Sequence, residues 1–183
     1  MRRLRALIFK DKAKGEGTLV YANGDKYTGS FLAGQKHGKG KYTHISGAIY
    51  TGDWANDRKN GQGIIKYPNG DQYEGEFADN MRQGEGVYIY ADGSKYSGMW
   101  LNDEKNGLGK LAYPSQDVYE GDFKNGLREG NGVIKYTNGD VFKGKFVRNK
   151  REGYGEYKWN NGDMYKGDWA EDKCTGKGDI IRA

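Results

Sequence analysis

Glycine and aromatic residues recur along the chain at a fixed interval of 23 residues. Each unit holds a Gly-x-Gly pair, an aromatic residue ten positions after the second glycine, a further glycine two positions later, and a Phe or Trp two positions after that. Seven complete units in one register predict a tandem-repeat fold. The pairs lie at Gly15/Gly17, Gly38/Gly40, Gly61/Gly63, Gly84/Gly86, Gly107/Gly109, Gly130/Gly132, Gly153/Gly155 and Gly176/Gly178.

Side chains alternate in character within each unit, which predicts two β-strands. In the unit that begins at Gly61, one face of the first strand carries alternate residues from Gly61 to Tyr67. One face of the second strand carries alternate residues from Asp71 to Phe77. A three-residue loop keeps both aromatic sets on one face, because a two-residue loop would turn one set over. Pro68-Asn69-Gly70 suits a type I turn followed by a left-handed glycine.

The same register places Gly63 opposite Gly75 and Gly61 opposite Phe77, so that aromatic rings cover backbone that glycine leaves bare. We therefore predict an all-β fold, an elongated single-layer antiparallel meander of tandem β-hairpins with about 16 strands. Each Gly-x-Gly pair is expected to begin a strand. The fifth unit carries Gln116 where other turns have glycine, and we expect that turn to differ or to be looser, because Gln is strained in a left-handed conformation.

The termini also follow the period. Residues 15–175 form the seven repeats, and residues 176–183 supply the first strand of an eighth. Residues 1–14 are either a degenerate half repeat, with Leu4, Ala6 and Ile8 at the positions of a second strand, or a basic N-terminal cap containing a short amphipathic helix. Sheet edges at both ends would favour pairing with a second copy of the chain.

Composition narrows the class of protein. The chain has 30 Lys and Arg against 25 Asp and Glu, so its net charge is +5, and aromatic residues make up 14% of it. That aromatic content and small net charge argue against disorder. A single cysteine, Cys174, cannot form an intramolecular disulfide, and no apolar run is long enough for a spanning helix. We expect a soluble, intracellular protein.

The seven units resemble the MORN repeat. The resemblance extends over about Gly15 to Ile180 and departs at His44, at Gln116 and at the termini. It implies an elongated array of β-hairpins that serves as a scaffold, as in ciliary axonemes and their radial-spoke heads, parasite cytoskeletal structures and membrane junctions, or beside lipid-kinase and methyltransferase domains. Segments that carry the resemblance are Tyr73-Glu-Gly-Glu-Phe77 with Gly84-Glu-Gly86, Tyr119-Glu-Gly-Asp-Phe123 and Tyr165-Lys-Gly-Asp-Trp169.

Catalytic and metal-binding patterns are weak. His37, His44 and Cys174 have no zinc spacing. The Gly-x-Gly pairs do not extend into a phosphate-binding loop. Repeated carboxylates after the turns, such as Asp25 and Asp71, are explained by turn support rather than by paired acid–base catalysis. We expect no enzyme activity, no cofactor and no metal, and nucleic acid is not an expected partner because the charge is small and a reading helix is lacking.

Two aromatic rows are candidates for an open groove that binds a partner helix or an extended segment. The alternative is that the rings are simply the core. The first ladder comprises Tyr27, Tyr50, Tyr73, Tyr96, Tyr119, Phe142 and Tyr165. The second ladder comprises Tyr21, Tyr67, Tyr90, Tyr113, Tyr136 and Trp159.

A row of basic residues stands two positions before the Gly-x-Gly pairs, where connecting loops are expected. Evenly spaced positive charge along one edge suits an acidic protein partner or anionic lipid head groups. The alternative is a set of solvated loops that prevent aggregation. This basic ladder comprises Lys36, Lys59, Arg82, Lys105, Arg128 and Arg151, and Cys174 takes the next place.

These features lead to one favoured hypothesis and one alternative. The first is a non-enzymatic scaffold of a cytoskeletal assembly, such as the ciliary or flagellar axoneme with its radial spokes, that binds protein partners through the aromatic groove. The second is a membrane-associated module that binds anionic phospholipid through the basic ladder.

Overall fold

The computed structural model describes residues 14–183. The chain divides into two compact units, with the boundary between Ala91 and Asp92. The predicted half repeat or helix at residues 1–13 lies outside the described residues. No helix occurs within residues 14–183, so these residues contain no helix that could cross a membrane.

The described chain consists of β-strands joined by short turns, which confirms the predicted all-β class. Fifteen strands are present in residues 14–183, and the sixteenth predicted strand would fall in the segment before them. The strands of the first unit are β1 (Gly15–Val20), β2 (Lys26–Leu32), β3 (Gln35–Thr43), β4 (Ile49–Ala55), β5 (Arg58–Lys66), β6 (Gln72–Ala78) and β7 (Met81–Ile89). Those of the second are β8 (Lys95–Leu101), β9 (Glu104–Ala112), β10 (Val118–Lys124), β11 (Leu127–Lys135), β12 (Val141–Val147), β13 (Lys150–Lys158), β14 (Met164–Ala170) and β15 (Lys173–Ile181).

Each unit is a single antiparallel meander in which strands pair with their neighbours in sequence. The predicted register is confirmed, because Gly61 pairs with Phe77 and Gly63 with Gly75 between β5 and β6. The predicted three-residue turn is confirmed as well. The Tyr67 amide donates to the Asp71 carbonyl oxygen at 2.9 Å, and the Gly70 amide, at φ +95°, donates back to the Tyr67 carbonyl oxygen at 3.1 Å.

The fifth turn follows the same geometry, so the expectation of a different or looser turn was wrong. Tyr113 donates to the Asp117 carbonyl oxygen at 2.9 Å, and Gln116 donates to the Tyr113 carbonyl oxygen at 2.9 Å. Gln116 adopts φ +70°, the left-handed conformation that glycine holds in the other turns. The pairing of the flanking strands imposes this conformation in spite of its local cost.

The connection from each even-numbered strand to the next odd-numbered strand is a turn of only two residues. The odd-numbered strands from β3 onward therefore begin before their Gly-x-Gly pair, and the expectation that each pair begins a strand was wrong for them. Between β4 and β5 the chain reverses in two left-handed residues, Asn56 (φ +49°) and Asp57 (φ +66°). Strand β5 therefore starts at Arg58, three residues before Gly61. A bulge follows, in which residues 60–62 lie opposite the single residue Asp53. Gly61 takes φ +89° at the centre of this bulge, which explains the first glycine of the pair.

Aromatic rings form the core of each meander. Tyr50 packs edge-to-face against Trp54 and Phe77, with its ring centre 5.2 Å from each. The Tyr50 hydroxyl donates to the Asp53 carbonyl oxygen at 2.8 Å, so the ring lies back along its own strand. In that position it covers Gly63 of the next strand, where a Cβ atom would be 2.5 Å from the phenol oxygen. The second glycine of the pairs from Gly38/Gly40 to Gly176/Gly178 is therefore required by ring packing rather than by backbone conformation.

Candidate functional site

The first ladder is buried, which corrects its assignment to an open groove. All seven rings are between 0% and 6% exposed, because each is enclosed by rings on adjacent strands and by the glycine backbone beneath it. These residues are Tyr27, Tyr50, Tyr73, Tyr96, Tyr119, Phe142 and Tyr165. They form the core. The side of the sheet on which these rings lie is called the aromatic face, and the seven rings offer no accessible surface to a partner there.

The second ladder remains accessible at the ends of the odd-numbered strands. Trp159 is 36% exposed, and the tyrosines of this row are half-buried. Trp159 packs on Tyr157 with ring centres 5.2 Å apart, and Tyr90 packs on Tyr88 at 4.5 Å. The structure thus leaves half-exposed rings beside the buried core in each unit, at Tyr21, Tyr67 and Tyr90 in the first and at Tyr113, Tyr136 and Trp159 in the second.

Three further tyrosines belong to this face and were missed in the sequence analysis. Each donates its hydroxyl to the aspartate that follows the previous turn, 17 residues earlier. This hydrogen bond is the main cause that lowers the pKa of Asp25, Asp71 and Asp140. A recurring Asp and Tyr at that separation was the signal available in the sequence. The pairs are Tyr42 with Asp25 (2.5 Å), Tyr88 with Asp71 (2.6 Å) and Tyr157 with Asp140 (2.7 Å).

The basic ladder lies on the same face as the rings, which corrects its assignment to connecting loops. Its six members, Lys36, Lys59, Arg82, Lys105, Arg128 and Arg151, are the second residues of β3, β5, β7, β9, β11 and β13. The two-residue turns and the bulges place each directly across from a core Phe or Trp, as Lys59 pairs with Trp54. Cys174 takes the same position opposite Trp169 and is exposed.

The basic side chains lie over aromatic rings instead of extending into solvent. The Lys36 ammonium lies 4.6 Å from the Trp54 ring centre, and the Arg151 guanidinium lies 4.2 Å from that of Trp169. Their side chains are 12% and 17% exposed. Burial lowers the pKa of Lys36, while the charge of Asp57, 4.0 Å away, acts in the opposite direction. The result is a face on which positive charge is held against aromatic surface.

Pairs of hydrogen bonds between a basic residue and a residue of the following turn fix the backbone at the basic position. The Lys36 amide donates to Asp57 Oδ1 at 2.9 Å, and the Asp57 amide donates to the Lys36 carbonyl oxygen at 3.1 Å. Arg128 and Asn149 repeat this arrangement at 2.8 and 3.0 Å. At Lys36, Lys59, Arg128 and Arg151 the following turn therefore anchors the strand of the preceding repeat and fixes the backbone that carries the basic side chain.

The opposite face has a different character. Its charged residues form ion pairs across the strands, such as Lys39 with Asp53 at 2.7 Å and Lys110 with Glu120 at 2.6 Å. A shallow depression of about 460 Å³ lies over Gly132 and Gly144 and includes Tyr154, which is 59% exposed. This mixed surface is typical of a solvated sheet face.

The histidines do not form a paired site. The amide and hydroxyl of Ser46 contact His44 Nδ1 at 3.0 and 2.7 Å, and His44 begins a turn as tyrosine does elsewhere. His37 lies within β3. Among residues 14–183, no group of three or more His, Cys, Asp and Glu side chains is placed to hold a metal ion.

Comparison with known proteins identifies the repeat. The model of the MORN repeat matches residues 9–26, 27–49, 50–72, 73–95, 96–118, 119–141, 142–164 and 165–181. A search of the curated proteins finds no match.

Solved structures of similar fold include the SAS-4 (dCPAP) TCP domain of Drosophila melanogaster, in complex with a proline-rich motif of Ana2 (dSTIL). It is 14% identical with a TM-score of 0.48, over 91% of this chain and 88% of that one. The TCP10 domain of Danio rerio CPAP, in complex with a STIL peptide, is 16% identical with a TM-score of 0.37, over 92% and 84%. Likenesses this distant do not indicate function.

Proposed function

Because the chain belongs to the MORN-repeat family, we propose that it is a non-enzymatic scaffold that binds a helix or an extended segment of a protein partner on its aromatic face. In each unit the binding surface consists of that unit's members of the second ladder and the basic ladder, together with the tyrosines that donate to an aspartate, which are Tyr42 and Tyr88 in the first unit and Tyr157 in the second.

One observation carries this proposal: half-exposed rings and positively charged side chains share one face. Tyr, Trp and Arg are the residues enriched at the centres of protein interfaces. Tyr136, Tyr157 and Trp159 form such a cluster in the second unit, with ring contacts at 5.9 and 5.2 Å. The backbone that holds them is fixed by strand pairing, so they lose little conformational freedom on binding.

We further propose that the assembly is cytoskeletal, with the ciliary or flagellar axoneme and its radial spokes as the first place to look. The resemblance of the repeats to those of radial-spoke-head proteins motivates this choice. A fluorescently tagged copy expressed in a ciliated cell should lie along the axoneme. Accumulation at the plasma membrane instead would contradict the axonemal assignment and favour the membrane-associated alternative.

The binding face is tested by capture of proteins from an axonemal extract. We expect Tyr136→Ala with Trp159→Ala to reduce capture of the specific partner by at least about tenfold, because apolar anchors at the centre of an interface dominate its energy. Tyr154→Ala on the opposite face is the matched control, and it should leave capture unchanged. Circular dichroism checks that both variants remain folded. Equal capture by all three proteins would overturn the assignment of the face.

The membrane alternative is separated by co-sedimentation with vesicles of phosphatidylcholine and a phosphoinositide. We expect little binding, because the basic side chains lie over rings and are not extended toward a planar surface. Strong binding that weakens with salt and is lost in Lys59→Glu with Arg128→Glu would favour the lipid function over the protein partner.

A further inference from the structure

The repeat pattern breaks in two repeats, in the second at Ala48 and in the fourth at Ser94. In five repeats the residue at this position is an aspartate that accepts a hydrogen bond from the backbone amide 20 residues later. In the second repeat alanine has no such acceptor, and the residue 20 positions later is Pro68, which has no amide hydrogen. The five bonds are Asp25 with Ile45 (2.8 Å), Asp71 with Ala91 (2.8 Å), Asp117 with Thr137 (2.8 Å), Asp140 with Asn160 (2.9 Å) and Asp163 with Ala183 (3.0 Å).

A third position changes with these two. Where Asp25, Asp71 and Asp140 receive a tyrosine hydroxyl, the corresponding residue of the second repeat is Ile65, which is 8% exposed. In the second repeat, Ala48 thus replaces the carboxylate acceptor, Pro68 replaces the backbone amide donor, and Ile65 replaces the hydroxyl donor. Because each polar group loses its partner at the same time, none of the three is left buried and unsatisfied.

An apolar recess of about 330 Å³ occupies this place on the aromatic face of the first unit. Ala48, Ile65 and Trp54 line it, and Tyr67 of the second ladder stands at its side. Its volume is within the range of sites that hold a bulky apolar group. The fourth repeat carries the same kind of replacement, at Ser94, Leu111 and Pro114, and this recess is the one in the first unit.

Positive charge borders the recess. Lys36, Lys59 and Asp57 belong to its lining, so two positive charges stand against one negative charge. The Lys36 ammonium lies 4.6 Å from the centre of the Trp54 ring and 4.0 Å from Asp57 Oδ1. Burial lowers the pKa of Lys36, although the Asp57 carboxylate acts in the opposite direction. A second carboxylate beside the recess would balance the remaining positive charge.

We infer that this recess is the anchor point of the protein partner and receives one large apolar side chain, Leu, Phe or Trp, from a segment with acidic residues next to it. The apolar chain fills the space between Ala48, Ile65 and Trp54, and the carboxylates face Lys36 and Lys59. The inference rests on the proposed function, because it names the partner chemistry of the same face. Charge complementarity and the apolar lining distinguish this occupant from a basic or wholly polar segment.

The test restores the polar bridge that other repeats contain. The variant Ala48→Asp with Ile65→Tyr and Pro68→Ala recreates the arrangement of Asp71, Tyr88 and Ala91 and fills the recess with a native combination. The same three changes at Ser94, Leu111 and Pro114 provide a matched control, because these residues replace the polar bridge in the second unit and the changes leave the recess of the first unit untouched. Circular dichroism and thermal unfolding check that both variants fold.

The probe is a phage-displayed library of random short peptides, selected on the full-length chain. The leading peptide is then synthesised with a fluorescein label and measured by fluorescence anisotropy. We expect the selected peptides to share a Leu, Phe or Trp beside Asp or Glu. Filling the recess should weaken binding by at least about tenfold, and the control variant should bind within about twofold of the parent.

Other outcomes overturn the inference and separate it from the proposed function. Peptides that bind the filled variant as tightly as the parent, but lose binding in Tyr136→Ala with Trp159→Ala, would refute the anchor and leave the aromatic face standing. Equal losses in the filled and control variants would also refute the anchor. Binding that survives every one of these changes, or a library without enriched peptides, would count against both proposals.

Discussion

At the scale of single residues, the two glycines of each Gly-x-Gly pair have different physical roles. Gly107 adopts φ +74° at a bulge, and a Cβ atom there would be 3.5 Å from its nearest neighbour in the Met99 side chain. For Gly109 a Cβ atom would lie 2.5 Å from Cε2 of Tyr96, which is fully buried. The first position is limited by backbone conformation and the second by space.

This difference predicts unequal effects of two neighbouring substitutions. Gly109→Ala should lower the free energy of unfolding by about 3 kcal/mol, because the buried Tyr96 ring must move. Gly107→Ala should lower the free energy of unfolding by about 1 kcal/mol, because alanine is strained in the left-handed conformation. Urea denaturation followed by tyrosine and tryptophan fluorescence measures both. A larger loss for Gly107→Ala would contradict the proposed role of ring packing.

At the scale of secondary-structure elements, the aspartates after the turns tie successive hairpins together. Asp71 accepts bonds from the Tyr88 hydroxyl at 2.6 Å and from the Ala91 amide at 2.8 Å, both in the next repeat. These bonds lower the pKa of Asp71, with the tyrosine hydroxyl as the larger cause. The pKa of Asp140 is lowered in the same way by Tyr157. The link between hairpins therefore depends on the carboxylates being ionised.

Acid should weaken these links. The folded-state pKa of each aspartate lies below the unfolded value of about 3.9, so its contribution to stability is present above that value. It is lost as the pH falls through the lower, folded-state pKa. We expect Asp71→Asn with Asp140→Asn to be less stable than the parent at neutral pH, and the gap to narrow as the pH falls below the unfolded value of about 3.9. Urea midpoints measured across this range test the prediction.

Asp79→Asn is the control for the acid experiment. Asp79 is an exposed turn residue whose Oδ1 accepts a bond from the Arg58 guanidinium at 2.9 Å. Exposed ion pairs contribute little, so its midpoint should stay close to that of the parent at each pH. A gap that does not change with pH for the double variant would show that ionisation of Asp71 and Asp140 does not stabilise the fold.

At the scale of the whole molecule, stability is built from contacts between neighbouring strands. Within each unit every strand pairs with the strands before and after it in sequence. Folds constructed in this way respond locally to damage, because distant repeats share no packing.

We therefore expect Gly109→Ala to lower amide protection mainly in β8, β9 and β10. Protection in β2 to β4 should remain as in the parent. Hydrogen exchange followed by mass spectrometry measures the two regions in one experiment, and Gly107→Ala serves as the milder comparison. A uniform loss of protection along the chain would instead indicate a single cooperative unit.

The 23-residue period was sufficient to predict strands, register and the three-residue turns, because these depend on side-chain alternation and on residues close together in sequence. The pairing of Gly63 with Gly75 follows from parity alone. The tight two-residue turns and the bulge at Gly61 did not follow, since Asn56-Asp57 gives no sign of where the next strand begins. For that reason Lys59 was placed in a loop rather than across from Trp54.

Along the chain, the amino-acid pattern was enough to identify which residues share a face, because alternation is a local property. Which of those residues are covered was decided by the neighbouring hairpins. Tyr73 is buried and Trp159 is 36% exposed, although both belong to aromatic rows with the same 23-residue spacing. The recess lined by Ala48 and Ile65 exists because adjacent repeats bring together residues separated by 17 positions, and only packed hairpins create that contact.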